Sequence, residues 1–198
     1  MKCRLRGLVV VAAFSLASHA SFALTTLTFD ELPPQPVDDL TFQGVAFDFK
    51  VAGVDSTDAT YNTFGPGSIT YVQDPSLEGT SSGVLTLDFA TPTAVLEFGV
   101  ALDTIDTLIP GFTVDLFDAT LAPIGSFPVT TQVLVLAGFT EGQFVYPGGS
   151  DVGRAVVSFD AAATRFAFDN LTFVPEPSSA LLLAAGLAGL AVRGRAHS

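Results

Sequence analysis

Leu96-Glu97-Phe98-Gly99-Val100-Ala101-Leu102 sets a large apolar side chain on every second residue, with Glu97 and Gly99 opposite. A period of two marks a strand with one face on a core. The alternation continues on either side. Leu85, Leu87 and Phe89 interleave with Thr86 and Asp88 upstream. Downstream, Phe112, Val114 and Leu116 interleave with Thr113 and Asp115, and Ala155, Val157 and Phe159 with Val156 and Ser158. Further strands are expected at 25–29, 45–49, 68–72, 132–136 and 143–146, and around Phe166 and Phe168. Pro33-Pro34-Gln35-Pro36, Gly65-Pro66-Gly67, Asp74-Pro75, Pro110-Gly111 and Pro147-Gly148-Gly149 punctuate the runs with turn chemistry. No amphipathic helix pattern interrupts them. The expected fold is all-β, a single antiparallel β-sandwich or jelly roll.

The last strand holds an irregularity. Phe166 and Phe168 share a face, yet Leu171 and Phe173 fall on the opposite parity, and a bulge at Asp169-Asn170 reconciles them. Terminal strands of such folds often pair, which would bring Asp30 and Glu31 beside Asp169 and Asn170. Two readings stand side by side. The four oxygen-bearing side chains hold calcium, which takes six to eight oxygen ligands, or they cap the bulge and satisfy backbone groups.

Charge and absences narrow the function. The chain has 20 acidic against 8 basic residues, a formal net charge of −12. Between residues 24 and 173 the basic side chains are Lys50, Arg154 and Arg165, so phosphates would meet no neutralising surface and a nucleic-acid partner is excluded. The two arginines are expected to pair with nearby acids. His19, His197 and Cys3 all lie outside this stretch, and tryptophan is absent. A Ser-His-Asp triad, a Cys-His dyad and a histidine zinc site are therefore ruled out within it. What remains is carboxylate, hydroxyl and amide chemistry, or a hard cation on oxygen. A glycosidase pair of carboxylates is compatible with so many acids, but no pair is singled out. Asp103, Asp106, Asp115 and Asp118 read as a solvated acidic loop rather than a metal site, and Asp38-Asp39 is a weaker cluster still. Tyr61, Tyr71 and Tyr146 each lie near a Gly/Pro loop, where they serve either as a sugar platform or as edge packing with the hydroxyl in water.

Both ends carry transport signals. Lys2, Arg4 and Arg6 precede an apolar run at 8–16, followed by Ser18-His19-Ala20 and Ser21-Phe22-Ala23. This is the order of a signal peptide, with cleavage after Ala23 favoured and Ala20 the alternative. At the other end, Val174-Pro175-Glu176-Pro177-Ser178-Ser179 leads into an apolar run at 180–192, closed by Arg193 and Arg195. The prolines fix the start of a helix, the apolar run suits a transmembrane span once the arginines snorkel, and those arginines are expected on the cytoplasmic side. The expected division is 1–23 signal peptide, 24–173 β domain and 174–198 sorting tail.

The tail resembles the PEP-CTERM sorting segment of Gram-negative surface and exopolysaccharide-associated proteins. The resemblance rests on Val174-Pro175-Glu176-Pro177, the Leu/Ala/Gly run at 181–190 and the basic stop of Arg193 and Arg195. It implies recognition and cleavage by an exosortase-like membrane transpeptidase. The wider frame, with Thr28-Phe29-Asp30-Glu31-Leu32, Gly44-Val45-Ala46-Phe47 and Phe168-Asp169-Asn170-Leu171-Thr172-Phe173, is similar to PEP-CTERM proteins whose domains are jelly-roll, carbohydrate-binding-like sandwiches. Three functions follow in order of preference. The first is a non-enzymatic exported surface or matrix protein associated with exopolysaccharide. The second is a calcium-dependent carbohydrate-binding module, and the third a secreted carboxylate-dependent glycoside hydrolase.

Overall fold

The computed structural model describes residues 24–134 and 138–174. The expected signal and transmembrane helices lie outside the described residues. Among those described, no helix is long and apolar enough to cross a membrane, and the regular structure is all β.

The first strands are β1 (Thr25–Leu27), β2 (Gln35–Pro36), β3 (Thr41–Phe42), β4 (Val45–Val51), β5 (Val54–Asp55), β6 (Thr60–Thr63) and β7 (Ser76–Thr80). There follow β8 (Gly83–Thr93), β9 (Leu96–Leu102), β10 (Leu108–Phe117), β11 (Pro123–Leu134), β12 (Phe139–Val145), β13 (Val152–Phe159) and β14 (Arg165–Phe173). They form one antiparallel sheet in the order β2-β6-β7-β14-β9-β12-β11-β10-β13-β8-β4-β3, with β1 added to β14 and β5 to β4.

The sheet curls on itself, and β11 is the strand that joins its halves. Residues 123–131 of β11 pair with β10, and Gln132, Val133 and Leu134 pair with β12. The inner faces of the two halves then meet. Phe49 of β4 lies 5.8 Å from Phe166 of β14, Phe89 of β8 5.5 Å from Phe173 of β14, and Phe98 of β9 6.3 Å from Phe112 of β10, centroid to centroid. Phe159 and Phe166 stack at 4.0 Å. The apolar rows read from the sequence are the rows buried here: Leu85, Leu87, Phe98, Val100, Leu102, Val114, Leu116, Val157 and Phe168 are all fully buried. Each such side chain contributes roughly 1.5–3 kcal/mol, which is why a domain without disulfides holds together. The ends of the strand path, β2 and β3, are two residues each, so little unpaired edge is left to template another chain.

One expected strand is not a strand. Residues 68–72 cross the outer face of the β14 half as a loop. Val72 is buried there against Ala101 of β9 and Ala167 of β14, with Ile69 and Phe139 packed alongside. The apolar side chains of this segment find a surface to cover, so its backbone does not need a neighbouring strand. The strands β2, β3, β5, β6 and β7 carry no clean alternation and were not legible.

Candidate functional site

β14 changes partner halfway. Its residues 165–168 pair with β7, and its residues 171–173 pair with β1. The expected bulge is at the changeover: the register with β9 shifts between Asp169 and Thr172, and Asn170 has φ 57°. Asparagine tolerates this left-handed backbone better than most residues. The terminal strands do pair, and Asp30, Glu31, Asp169 and Asn170 come to one region.

Their oxygens are largely committed to the protein. Glu31 Oε1 accepts from the Thr28 backbone N–H at 2.8 Å, and Oε2 accepts from the Tyr61 hydroxyl at 2.5 Å. Asp30 Oδ1 accepts from the Thr28 hydroxyl at 2.8 Å. Asp169 Oδ2 accepts from the Gln73 backbone N–H at 2.9 Å and from Asn170 Nδ2 at 3.0 Å. Asp169 Oδ1 is buried and has no partner among the described residues. Burial pushes the Asp169 carboxyl up to about 7 against the pull of the Gln73 and Asn170 N–H groups, and Glu31 and Asp30 add a smaller upward push. Tyr61 is a core residue, neither the sugar platform nor the edge packing with a wet hydroxyl that its type suggested. Burial, then its bond to Glu31, holds its phenol well above the ordinary range. Capping the bulge and its neighbourhood thus accounts for most of these contacts.

The carboxylates that approach most tightly are elsewhere. Among the described residues, the trio whose oxygens come within 4.8 Å of one another is Asp38, Asp48 and Asp55. Lys50 Nζ lies 2.6 Å from Asp48 and 3.0 Å from Asp55, and Asp38 accepts from the Phe49 N–H. An ammonium group already compensates this cluster, so it points to no ion. Asp118 of the expected acidic loop instead closes its own turn. It accepts from the Thr120 hydroxyl and from the Thr120 and Ala122 N–H groups, which hold it below the usual carboxylate range. Asp88 and Asp118 line one cavity of about 240 Å³. Asp88 is clasped there by Arg154 through two bonds of 2.6 and 2.8 Å, so the two acids are occupied with structural partners rather than poised as an acid and a base.

A loop and a cavity beside it mark the outer surface of the β14 half. The loop at 69–73 is fixed by two buried carboxylates. Glu141 of β12 accepts from the backbone N–H groups of Thr70 and Tyr71 at 3.2 and 2.9 Å, and Asp169 accepts from that of Gln73. Asn170 Nδ2 donates to the Tyr71 carbonyl at 3.1 Å. Gly99 lets the loop approach: a Cβ there would stand 2.1 Å from the Tyr71 carbonyl oxygen. Beside the loop is a cavity of about 310 Å³ whose lining includes Thr26, Tyr71, Glu97, Gly99, Gln143 and Thr172. Thr26 and Thr172 share a hydroxyl hydrogen bond at 2.8 Å, and Gln143 Nε2 donates to Glu97 Oε1 at 2.5 Å. Of the three tyrosines, Tyr71 alone stays substantially exposed, at 37%; Tyr146 is buried and donates to the Ser150 carbonyl. Tyr71 was legible as a candidate from its type, but the Glu97–Gln143 and Thr26–Thr172 pairs were not.

Comparison with known families finds the PEP-CTERM protein-sorting motif at residues 173–196, the span that contains Val174, Pro175, Glu176, Pro177, Arg193 and Arg195. A comparison with curated proteins finds no match. Among solved structures, the chain is similar to a family 29 carbohydrate-binding module from Piromyces equi, at 14% identity and a TM-score of 0.40, covering 80% of this chain and 94% of that one. It is also similar to the Clostridium thermocellum xylanase 10B CBM22-1–GH10 modules, complexed with xylohexaose, at 15% identity and a TM-score of 0.43. That match covers 80% of this chain and 29% of the other. Both likenesses are distant.

Proposed function

We propose that this chain is an exported, non-enzymatic surface or matrix protein, delivered through its C-terminal tail to the exopolysaccharide layer. The observation that carries the reading is the sorting motif at 173–196, which begins at Phe173, the last buried residue of β14. The tail therefore starts where the core ends. The Val174 N–H still donates to Thr93 Oγ1 at 3.0 Å, and Pro175, Glu176 and Pro177 follow directly. In this reading an exosortase-like membrane transpeptidase recognises Pro175, Glu176 and Pro177. The run at 180–192 holds the chain in the membrane with Arg193 and Arg195 as the basic stop, and cleavage removes the segment. Residues 1–23 act as the signal peptide, and 24–173 are the mature domain.

Replacing Pro175, Glu176 and Pro177 together with alanine tests this. The expected product in the native host is longer and stays with the membrane fraction. An unchanged mass and unchanged fractionation would remove the sorting reading. A hydrolase is not favoured, because the cavities described above offer carboxylates already engaged with protein donors.

A further inference from the structure

We propose that the groove above Gly99 binds a neutral, hydroxyl-rich saccharide segment. The proposal concerns the domain itself and stands whether or not the tail is processed as described above.

The floor is a row of polar side chains running across adjacent strands. Thr26 of β1 pairs with Thr172 of β14, and Thr172 with Glu97 of β9. Gln143 of β12 stands opposite Gly99 of β9 and reaches diagonally to Glu97. Strand spacing of about 4.8 Å therefore sets hydroxyl, hydroxyl, carboxylate and amide at regular intervals. The mutual bonds of Thr26 with Thr172, and of Gln143 with Glu97, hold them in place before any ligand arrives. A site that is ordered beforehand loses less entropy on binding. Each pair keeps capacity in hand. Gln143 has a second amide N–H and an amide oxygen, Glu97 a second carboxylate oxygen, and each threonine hydroxyl further lone pairs. A mixed set of donors and acceptors is what vicinal hydroxyls require.

The remaining features select the ligand class. Tyr71 forms one wall and, being more than a third exposed, offers a ring to the apolar face of a sugar. The volume of about 310 Å³ lies at the lower end of the ~300–1,000 Å³ usual for small-molecule sites, enough for a short segment of a chain. An anion is disfavoured, since among the described residues Glu97 is the one charged side chain lining the groove. The basic side chains of the domain are each engaged elsewhere: Lys50 with Asp48 and Asp55, Arg154 with Asp88, and Arg165 with Asp58. A purely apolar ligand would strand the polar row.

The test is a glycan array probed with the full chain in detergent, printed with neutral oligosaccharides and with uronic-acid oligosaccharides. The strongest neutral binder is then titrated by calorimetry. Neutral glycans should be retained and uronic-acid glycans should not. Gln143→Ala and Thr172→Val should each weaken binding about three- to tenfold, the usual worth of one neutral hydrogen bond, and Tyr71→Ala should weaken it further. Arg154→Ala, on the other half of the sheet, should leave it unchanged. If Tyr71→Ala fails to fold, the near-isosteric Thr172→Val carries the comparison. Retention of no neutral glycan, a preference for uronic acids, or neutral binding indifferent to Gln143 and Thr172 would each overturn the proposal. Because the unprocessed chain is used, a failure here is distinct from a failure of the sorting experiment.

Discussion

The two halves of the curled sheet share an inner core but have opposite outer faces. On the β13 half most outward residues are polar and partly exposed. Arg154 of β13 faces Asp88 of β8, and Lys50 spans Asp48 and Asp55 near the β4–β5 hairpin. On the β14 half the outward positions narrow to Gly99, Ala101 and Ala167, and the loop at 69–73 covers them. The first face is what a sheet needs to be soluble. The second is a built surface, in which small residues make room and the carboxylates of Glu141 and Asp169 take up the loop's amides. A segment without a ladder must satisfy its backbone by other means, and buried acids with N–H donors are an effective one.

The contrast can be broken most strongly at Glu141. Glu141→Ala strands the Thr70 and Tyr71 amides, at roughly 1–3 kcal/mol for each one left unsatisfied. Urea denaturation should show the loss, and hydrogen exchange should show those two amides opening first. Stability within error of the wild type, with both amides still protected, would mean that the loop is held by Val72 and its neighbours alone.

Gly99→Ala should come next. Its Cβ would meet backbone at 2.1 Å rather than the end of a flexible side chain, so the loop must lift, at about 1–3 kcal/mol for overpacking of this kind. Thr86→Ala on the other half is the matched control and should stay within about 0.5 kcal/mol.

A pH series sharpens the same comparison. A carboxyl raised in the folded state binds its proton more tightly there than in the unfolded chain. Stability therefore falls as pH climbs from the ordinary aspartate value of about 4 to the folded value of about 7 at Asp169. Asp169→Asn should flatten this slope and melt higher than the wild type at pH 8, since its amide oxygen still accepts from Gln73. Glu78, also raised chiefly by burial, tilts the curve in the same sense, so some slope should remain. Equal slopes in variant and wild type would show that Asp169 does not hold its proton.

The smallest effect belongs to the wet face. Arg154→Ala breaks a pair whose side chains are 35% and 39% exposed, and should cost roughly 0.2–1 kcal/mol, less at high salt. A loss as large as that at Glu141 would erase the distinction between the faces.

The same distinction explains what could be read in advance. β8 and β9 were legible because a core on one side forces large residues onto alternate positions. The bulge at Asp169-Asn170 was legible because a parity change in Phe166, Phe168, Leu171 and Phe173 admits few other causes. The loop at 68–72 was misread because Ile69 and Val72 are apolar for a reason unrelated to strand pairing. The sign of that reason was present in Gly99 and Ala101, small residues where a wet face would carry polar ones. The tyrosines divided in a way that type alone does not reveal, with Tyr61 in the core and Tyr71 on the groove wall.

Sequence alone determined the all-β character, the absence of histidine and thiol chemistry from 24–173, and the order of the sorting tail. These depend on residue type and on near-neighbour spacing. The tertiary structure decided which polar groups meet. Glu97 and Gln143 are 46 residues apart and Thr26 and Thr172 are 146 apart, and their encounter follows from strand order and register. Those are set by how the whole sheet closes over its phenylalanine core, and no local stretch of the chain contains them.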